Sequence, residues 1–253
     1  MKYDKQSYRQ IIECAINQGY EFVDFLTLSL EKPIRQIILR HDIDFSPALA
    51  LEMAEIDATY KIKSTFALLL SSPLYNPFTF ANIRIINEIQ QLGHNIALHH
   101  RVASGQTIEE IRQDIVSGMQ VMRAFFPYIQ PVFIWHNPPP DNPHSNLEVP
   151  GIVNAYSAIF VEMMHYISDS VLRHEPDYFL TALSEYKLLH ILLHPVIWMS
   201  EKDNMVSMIS HTLKRIILEC DIEFMLNRAW KEKFPDGIPE EPLDSLEKSL
   251  GEG

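Results

Sequence analysis

The segment IILRHDID, residues 37–44, starts as an apolar run and ends with two carboxylates two positions apart. In a β-strand, residues i and i+2 share a face, so Arg40, Asp42 and Asp44 are expected to project to the same side. Two acids on one face at the end of a buried strand are costly without a cation. The dipeptide Ser46-Pro47 follows, and it is typical of a helix start. The acids are therefore expected at the carboxyl end of a strand, where α/β folds place their chemistry.

The size and charge of the chain limit the classes of protein to consider. Its 253 residues are enough for one α/β domain with a substantial core. The net charge of -12 and the absence of a basic stripe argue against a nucleic-acid partner and against binding to an anionic membrane surface. The two cysteines, Cys14 and Cys220, cannot form a disulfide framework.

The sequence shows no sign of a secretion signal or a membrane span. Residues 1–6 carry charges where a signal peptide needs an apolar core. The most apolar late run, Leu188–Met199, is interrupted by His190, His194 and Pro195, and it is too short and too polar to cross a bilayer. We therefore expect no membrane span and a cytoplasmic location.

Apolar periodicity and turn residues divide the chain into alternating helices and strands. The predicted strands are Gln36–Asp44, Lys63–Leu70, His94–His99, Pro131–Trp135 and Leu188–Leu193, with short ones at Ser157–Phe160 and Tyr166–Ser168. The predicted helices are Ser7–Gly19, Pro47–Tyr60, Phe78–Leu92, Thr107–Phe126 and Asn204–Lys233. Residues 19–33 are expected to be a connection, and residues 136–143 a Pro-rich loop.

Alternation of strands and helices predicts right-handed crossovers and a parallel sheet or barrel. The number of units favours a barrel of seven or eight strands with an irregular middle. No internal repeat or linker interrupts residues 1–234, which are expected to form a single domain. Residues 235–253 are acidic and have no apolar periodicity, so a flexible tail is expected there.

Side chains able to carry protons or bind metal end or follow five of the predicted strands. They are Asp42, Asp44, His99, His136, Asp169 and His194. The carboxyl ends of parallel strands meet at one rim of a barrel, so these groups are expected to lie close together. Asp and His side chains are suitable ligands for Zn²⁺ or a similar divalent ion.

Four short motifs in this order carry a resemblance to a known family. They are RHDID at residues 40–44, GHNIALH at 93–99, YISDS at 166–170 and LLHP at 192–195. The chain resembles the polysaccharide deacetylase family, the carbohydrate esterase family 4-like proteins with a NodB homology domain, in its HDID-motif branch. The resemblance spans about residues 37–199 and implies a distorted (β/α)7 barrel.

The resemblance also implies an activity and roles for individual residues. The expected reaction is hydrolysis of an N- or O-acetyl group on a sugar or polysaccharide precursor, with a divalent metal as cofactor. Zn²⁺ is the first choice, and Ni²⁺ or Co²⁺ are alternatives. By this resemblance Asp42 is the general base, Asp44 and His99 are metal ligands, and His194 is the general acid.

One position departs from the family pattern. The usual second metal histidine lies four residues after the first, and that position here is Ala103. His136 is the first candidate to replace it, and His100 is the second, although strand alternation points His100 away from His99. If neither serves, a catalytically inactive carbohydrate-binding homologue is the alternative. Another metal-dependent hydrolase of small C–N bonds is a third interpretation.

Three further residues are expected in the substrate-binding region. Arg40 shares a face with Asp42 and could keep that carboxylate ionised. Trp135 could stack on a sugar ring, although an aromatic at a strand end is more often part of the core. Asp169 could orient His194, bind substrate or cap a turn.

Overall fold

The structure is a computed structural model that describes residues 1–31, 33–136 and 146–237. Its strands are β1 (Glu21–Val23), β2 (Gln36–Ile43), β3 (Thr65–Leu69), β4 (Asn95–Arg101), β5 (Val132–His136), β6 (Val153–Asn154), β7 (His165–Ser168) and β8 (Leu188–Leu193). Its α-helices are α1 (Lys5–Asn17), α2 (Pro47–Thr59), α3 (Phe80–Gln91), α4 (Ile108–Phe125), α5 (Ala158–Val161), α6 (Asp177–Glu185), α7 (Pro195–Met199), α8 (Met205–Met225) and α9 (Arg228–Lys233).

The strands form one parallel sheet whose order follows the chain around a circle. Starting at β2, each strand pairs with the next as far as β6, and β7 pairs with β8, which returns to β2. Within the described residues, the circle is open only between β6 and β7. Strand β1 adds to the first half of β2, on the edge that β3 occupies further along. The fold is therefore a distorted (β/α)7 barrel with one seam.

Strand alternation sorts side chains onto two sides of this sheet. The small apolar residues of the barrel interior include Ile38, Ala67, Ala97 and Ile134, which pack in one cluster from four strands. The larger cluster lies on the helix side of the sheet and contains most of the aliphatic core. Because β2 is covered on both sides, all eight of its residues are buried.

Local signals explain where several elements begin and end. The Ser46 side chain caps α2 by accepting a hydrogen bond from the amide of Leu49. Thr107 and Glu110 form a capping box at the start of α4. After α3, Gly93 adopts a φ of +100°, a conformation that favours glycine and lets the chain turn directly into β4.

Most predicted elements are confirmed, with their ends shifted by at most two residues, and three predictions are wrong. Residues 19–33, predicted as a connection, contain β1. The segment predicted as a strand at Ser157–Phe160 belongs to α5, and the nearby strand is β6. The predicted long helix Asn204–Lys233 is interrupted because Asn227 starts α9, accepting hydrogen bonds from two amides of its first turn.

Two predicted segments fall largely outside the described residues. They are the Pro-rich loop, of which only His136 is described, and the acidic tail, of which only residues 235–237 are described. The single-domain boundary at residue 234 stays a prediction. Among the helices of the described part, none is both long enough and apolar enough to cross a membrane.

Candidate active site

The register of the sheet places Asp44 and His99 at the same level along the barrel. Ile43 pairs with Leu68, and Leu69, one position further, pairs with His99. Asp44 is one position beyond Ile43, so it reaches the level of His99 at the carboxyl end of the barrel. This convergence of residues 55 positions apart was expected from the parallel strand order alone.

Asp44, His99 and His136 form a compact triangle of ligand atoms. Asp44 Oδ1 lies 3.2 Å from His99 Nε2 and 3.3 Å from His136 Nδ1, and the two nitrogens are 3.2 Å apart. In a tetrahedral zinc site, bond lengths near 2.05 Å separate neighbouring ligand atoms by about 3.3 Å. The three atoms therefore have the spacing of three ligands around one small divalent ion.

The surroundings of Asp44 and His99 also fit a metal ion. His99 Nδ1 donates to the carbonyl oxygen of Ile134 at 3.2 Å, which orients the ring with Nε2 facing Asp44. Asp44 Oδ1 is buried and accepts no well-formed hydrogen bond from the described residues. Burial tends to raise the pKa of Asp44, but His136 and His99 outweigh it and the pKa is lowered. The carboxylate is thus ionised and aimed at the centre of the triangle.

His136 lies at the right distance to bind a metal ion, but its hydrogen bond with Arg101 is unsuited to metal binding. Its Nε2 lies 3.0 Å from Nη2 of Arg101, a group that can only donate. A ring that accepts at Nε2 carries its proton on Nδ1, the atom that faces Asp44. Coordination through Nδ1 therefore requires Arg101 to move away, and Arg101 is exposed enough to do so.

Asp42 is held by a buried arginine on its own strand. Arg40 Nε lies 2.7 Å from Asp42 Oδ1 and Arg40 Nη2 lies 2.6 Å from Oδ2, a bidentate pair. Burial tends to raise the pKa of Asp42, but Arg40 and then His99 outweigh it, so the pKa is lowered. The shared face of Arg40 and Asp42 expected from alternation is thus observed, and the carboxylate is kept ionised.

His194 is held by Asp169 and faces the site with its other nitrogen. Asp169 Oδ1 lies 2.6 Å from His194 Nδ1, while Oδ2 accepts hydrogen bonds from the His194 amide and from Trp198 Nε1, both at 2.8 Å. His194 Nε2 lies 3.6 Å from Asp44 Oδ2. Burial tends to lower the pKa of His194, but the Asp169 carboxylate outweighs it and raises the pKa to about 9.

These groups line one cleft of about 350 Å³. Its wall includes residues that sequence reasoning did not select: Tyr156, Tyr166, Ser168, Ser170, Arg173 and His174. Alternation in β7 places Tyr166 and Ser168 on the inner face, so the YISDS motif contained a signal for them. Tyr156 lies in a turn, and Arg173 follows a short 3-10 helix. Strand alternation gives no signal at either position.

The structure shows where the three residues grouped as substrate-binding lie. Trp135 borders the cleft, but it is 1% exposed and its ring packs against Phe133 and His100. Arg40 and Asp169 are both 0% exposed, and each forms hydrogen bonds with a residue that lines the cleft. Arg40 pairs with Asp42. Asp169 orients His194, which is one of the three roles expected for it from the sequence.

The remaining candidates are placed away from the triangle. His100 lies on the helix side beside Trp135, opposite to His99 as alternation requires. Ala103 lies in the turn after β4, where its amide donates to Gln106 Oε1 at 2.7 Å. Of the histidines in the described part of the chain, His99, His136, His174 and His194 line the cleft, and the first two and His194 have side-chain nitrogens within 3.6 Å of Asp44.

Comparison with known proteins finds likeness in structure only. No family profile and no curated protein matches the chain. Similar solved structures include a family 4 acetyl xylan esterase from Clostridium thermocellum in complex with a cobalt ion, 19% identical over 71% of this chain and 83% of that chain, with a TM-score of 0.42. Others are a variant of the peptidoglycan deacetylase PdaC from Bacillus subtilis (13% identity, 78% and 98% coverage, TM-score 0.43) and a CE4 family pseudoenzyme from Bacillus anthracis (15%, 78% and 68%, 0.42). The barrel assignment itself rests on the strand order and register of this chain.

Proposed function

We propose that this protein is a metal-dependent hydrolase that removes an acetyl group from an N- or O-acetylated sugar. The observation that carries the proposal is the triangle of Asp44, His99 and His136, with Asp42 and His194 beside it in one cleft. These are the residues that the motif resemblance, together with the replacement for Ala103, selected. The cytoplasmic location expected from the sequence stays a prediction.

Asp44, His99 and His136 would hold the ion, through one oxygen and two nitrogens. When bound, a divalent ion would supply Lewis-acid polarisation of the acetyl carbonyl and would make nearby water more acidic. Zn²⁺ is proposed because it suits this mixed set of ligands at tetrahedral spacing, with Ni²⁺ or Co²⁺ as alternatives.

Asp42 is proposed to accept the proton of the attacking water. Its Oδ2 lies 3.3 Å from His99 Nε2, so the carboxylate borders the triangle without being part of it. Arg40 fixes both oxygens in place and keeps them ionised. The lowered pKa makes Asp42 a weak base, so transfer to it depends on the acidity of the water.

His194 is proposed to protonate the departing amine or alkoxide. With a pKa of about 9, the imidazole carries its proton at neutral pH. Asp169 holds Nδ1, so the proton available for transfer is the one on Nε2, which faces the cleft. Asp42 and His194 thus supply a proton acceptor and a proton donor on two sides of the same site.

Two other functions are alternatives to this proposal. A carbohydrate-binding homologue without turnover is favoured by Ala103 and by the contact between Arg101 and His136, which opposes metal binding. A metal-dependent hydrolase of another small C–N bond would use the same residues. Acetate release from acetylated sugars separates this second alternative from the proposal.

The test combines metal analysis with an assay of acetate release from N- and O-acetylated sugars. The purified protein is expected to bind about one divalent ion per chain. Asp44→Asn is expected to lose the ion and at least about a hundredfold of the activity, since a metal supplies several kcal/mol of transition-state stabilisation. Asp203→Asn, which changes an exposed carboxylate outside the cleft, is the matched control. A metal-free protein that still binds a sugar would support the non-catalytic alternative.

A further inference from the structure

We propose that Arg173 forms an anion-binding end of the cleft, so that the substrate carries a carboxylate or phosphate group in addition to its acetylated sugar. This inference rests on the proposed function and adds the chemical class of the substrate. It is carried by the placement of Arg173 on the wall of the same cleft as Asp44 and His194.

Arg173 is a cation that has no partner among the residues the structure describes. Its side chain is exposed, and its guanidinium makes no hydrogen bond or ion pair with any described residue. It is the only arginine or lysine among the described residues that line the cleft. An arginine guanidinium presents a planar set of donors that matches the two oxygens of a carboxylate or phosphate.

The acids of the cleft do not need Arg173 as a counter-charge. Asp42 is already paired with Arg40, and Asp44 lies against three imidazoles, those of His99, His136 and His194. The chain carries a net charge of -12, which repels anions at long range. A free guanidinium in the cleft is the local attraction that an anionic substrate would require.

The backbone before Arg173 is held in an unusual conformation. Val171 and Leu172 have φ values of 52° and 53°, in the left-handed region that non-glycine residues rarely adopt. Val171 is β-branched and 77% exposed, so burial of its side chain does not account for this conformation. Strain of this kind is often found at ligand clamps, and here it sets the direction in which the chain enters Arg173.

Two hydroxyl groups line the same cleft as the guanidinium. Ser168 Oγ and Ser170 Oγ lie 2.6 Å apart, and the amide of Ser170 donates to Ser168 Oγ at 3.0 Å. Only one of the two hydroxyls can donate to the other, so one hydroxyl proton of the pair is left for another acceptor. The wall of the cleft therefore carries both a guanidinium and a hydroxyl donor, groups that suit an anionic oxygen.

The test compares three sugars that differ in charge. They are N-acetylglucosamine, N-acetylglucosamine 6-phosphate and N-acetylmuramic acid, which bears a carboxylate. Binding to the metal-loaded protein is measured by isothermal titration calorimetry. At least one anionic sugar is expected to bind about tenfold more tightly than the neutral one, as for a hydrogen bond to a charged group. The two anionic arms show whether the site prefers phosphate or carboxylate.

Variants of Arg173 decide whether this residue is the cause. Arg173→Gln is expected to bring the ratio of anionic to neutral affinity close to one, and Arg173→Lys to keep part of it. Arg84→Gln, an exposed arginine on α3 outside the cleft, should keep the full ratio. A ratio near one in the wild type, no binding of any of the three sugars, or an unchanged ratio in Arg173→Gln would overturn the inference.

Acetate release from the same sugars separates this inference from the proposed function. Release without a preference for charge would remove the anion site and leave the deacetylase. A preference for charge that depends on Arg173, with no release from any acetylated sugar, would keep the anion site and remove the deacetylase.

Discussion

At the scale of single residues, two ionised groups of the site, Asp42 and His194, are each positioned by a partner of opposite charge. Arg40 holds Asp42, and Asp169 holds His194, in both cases through short buried contacts. In a buried site such partners decide which groups carry a proton at neutral pH. Substitution of the partner residue therefore tests the protonation state of the candidate catalytic residue.

Replacing Asp169 by asparagine should lower the pKa of His194 from about 9 towards its ordinary value of 6.5, since burial is then opposed only by Asp42 and Asp44. The test is a pH titration of the imidazole followed by NMR, and Asp203→Asn is the control. Since the folded-state pKa is the higher one, the pair should stabilise the protein fully below about pH 6.5 and lose this effect as the pH rises through about 9. An unchanged titration of His194 in Asp169→Asn would contradict the assigned partner.

Removing the donor that faces His136 should strengthen metal binding. Arg101→Ala removes the guanidinium donor from Nε2 of His136, so the ring can carry its proton there and offer Nδ1 as a ligand. We expect the Kd for Zn²⁺ to fall by about tenfold, measured by competition with a chelator. Arg101→Lys keeps a donor and serves as the matched control. Weaker binding in Arg101→Ala would mean that Arg101 supports the site.

At the scale of elements, the strands that carry the site are positioned by helices packed on their outer faces. β4 carries His99 on its inner side and Leu98 on its outer side, where α4 crosses it. Gly118 of α4 lies at this contact, and a Cβ atom added there would meet Leu98 Cδ2 at 3.3 Å. The absence of a side chain at Gly118 allows the helix to lie close to the strand.

Gly118→Val should therefore destabilise the fold. Its side chain would overlap Leu98 and Leu70, and overpacking of this kind costs about 1–3 kcal/mol of the free energy of unfolding. Chemical denaturation measures the change. Gly118→Ala is the control, because the gain in helix propensity of about 1 kcal/mol offsets its tighter contact. Equal stability of the valine variant and the wild type would show that the contact can relax.

At the scale of the whole molecule, closing the sheet into a barrel brings together strands that are distant in the sequence. Asp44 follows β2, while His99 and His136 come from β4 and β5. The seam between β6 and β7 lies beside the cleft, and Tyr156 and Tyr166 approach it from opposite sides. An ion bound by the triangle would link three segments of the barrel at one point.

Metal binding should therefore stabilise the whole domain. A ligand that binds only the folded state adds about 2.7 kcal/mol when its concentration is a hundredfold above Kd. Thermal unfolding with and without Zn²⁺ measures this effect, and a chelator should reverse it. Asp44→Asn should unfold at the same temperature in both conditions. A metal-dependent shift that persists in Asp44→Asn would place the binding site elsewhere.

How much of the fold could be predicted from the sequence depended on the length of each helix or strand. The buried runs of β2 and β8 and the amphipathic helices were predicted from periodicity, because many residues contribute to each pattern. The strands β1 and β6 have three and two residues, too few to show a period. The Ser157–Phe160 segment was assigned to the wrong class because a short apolar run suits a helix as well as a strand.

The sequence by itself determined which residue types end the strands, and with them the acids and histidines of the candidate site. Only the tertiary structure decided that His136 rather than His100 faces Asp44, that Asp169 holds His194, and that Trp135 packs into the core. It also placed Arg173 on the wall of the cleft. Alternation along a strand is a local property of the chain, whereas these contacts depend on the register of strands that are far apart in sequence.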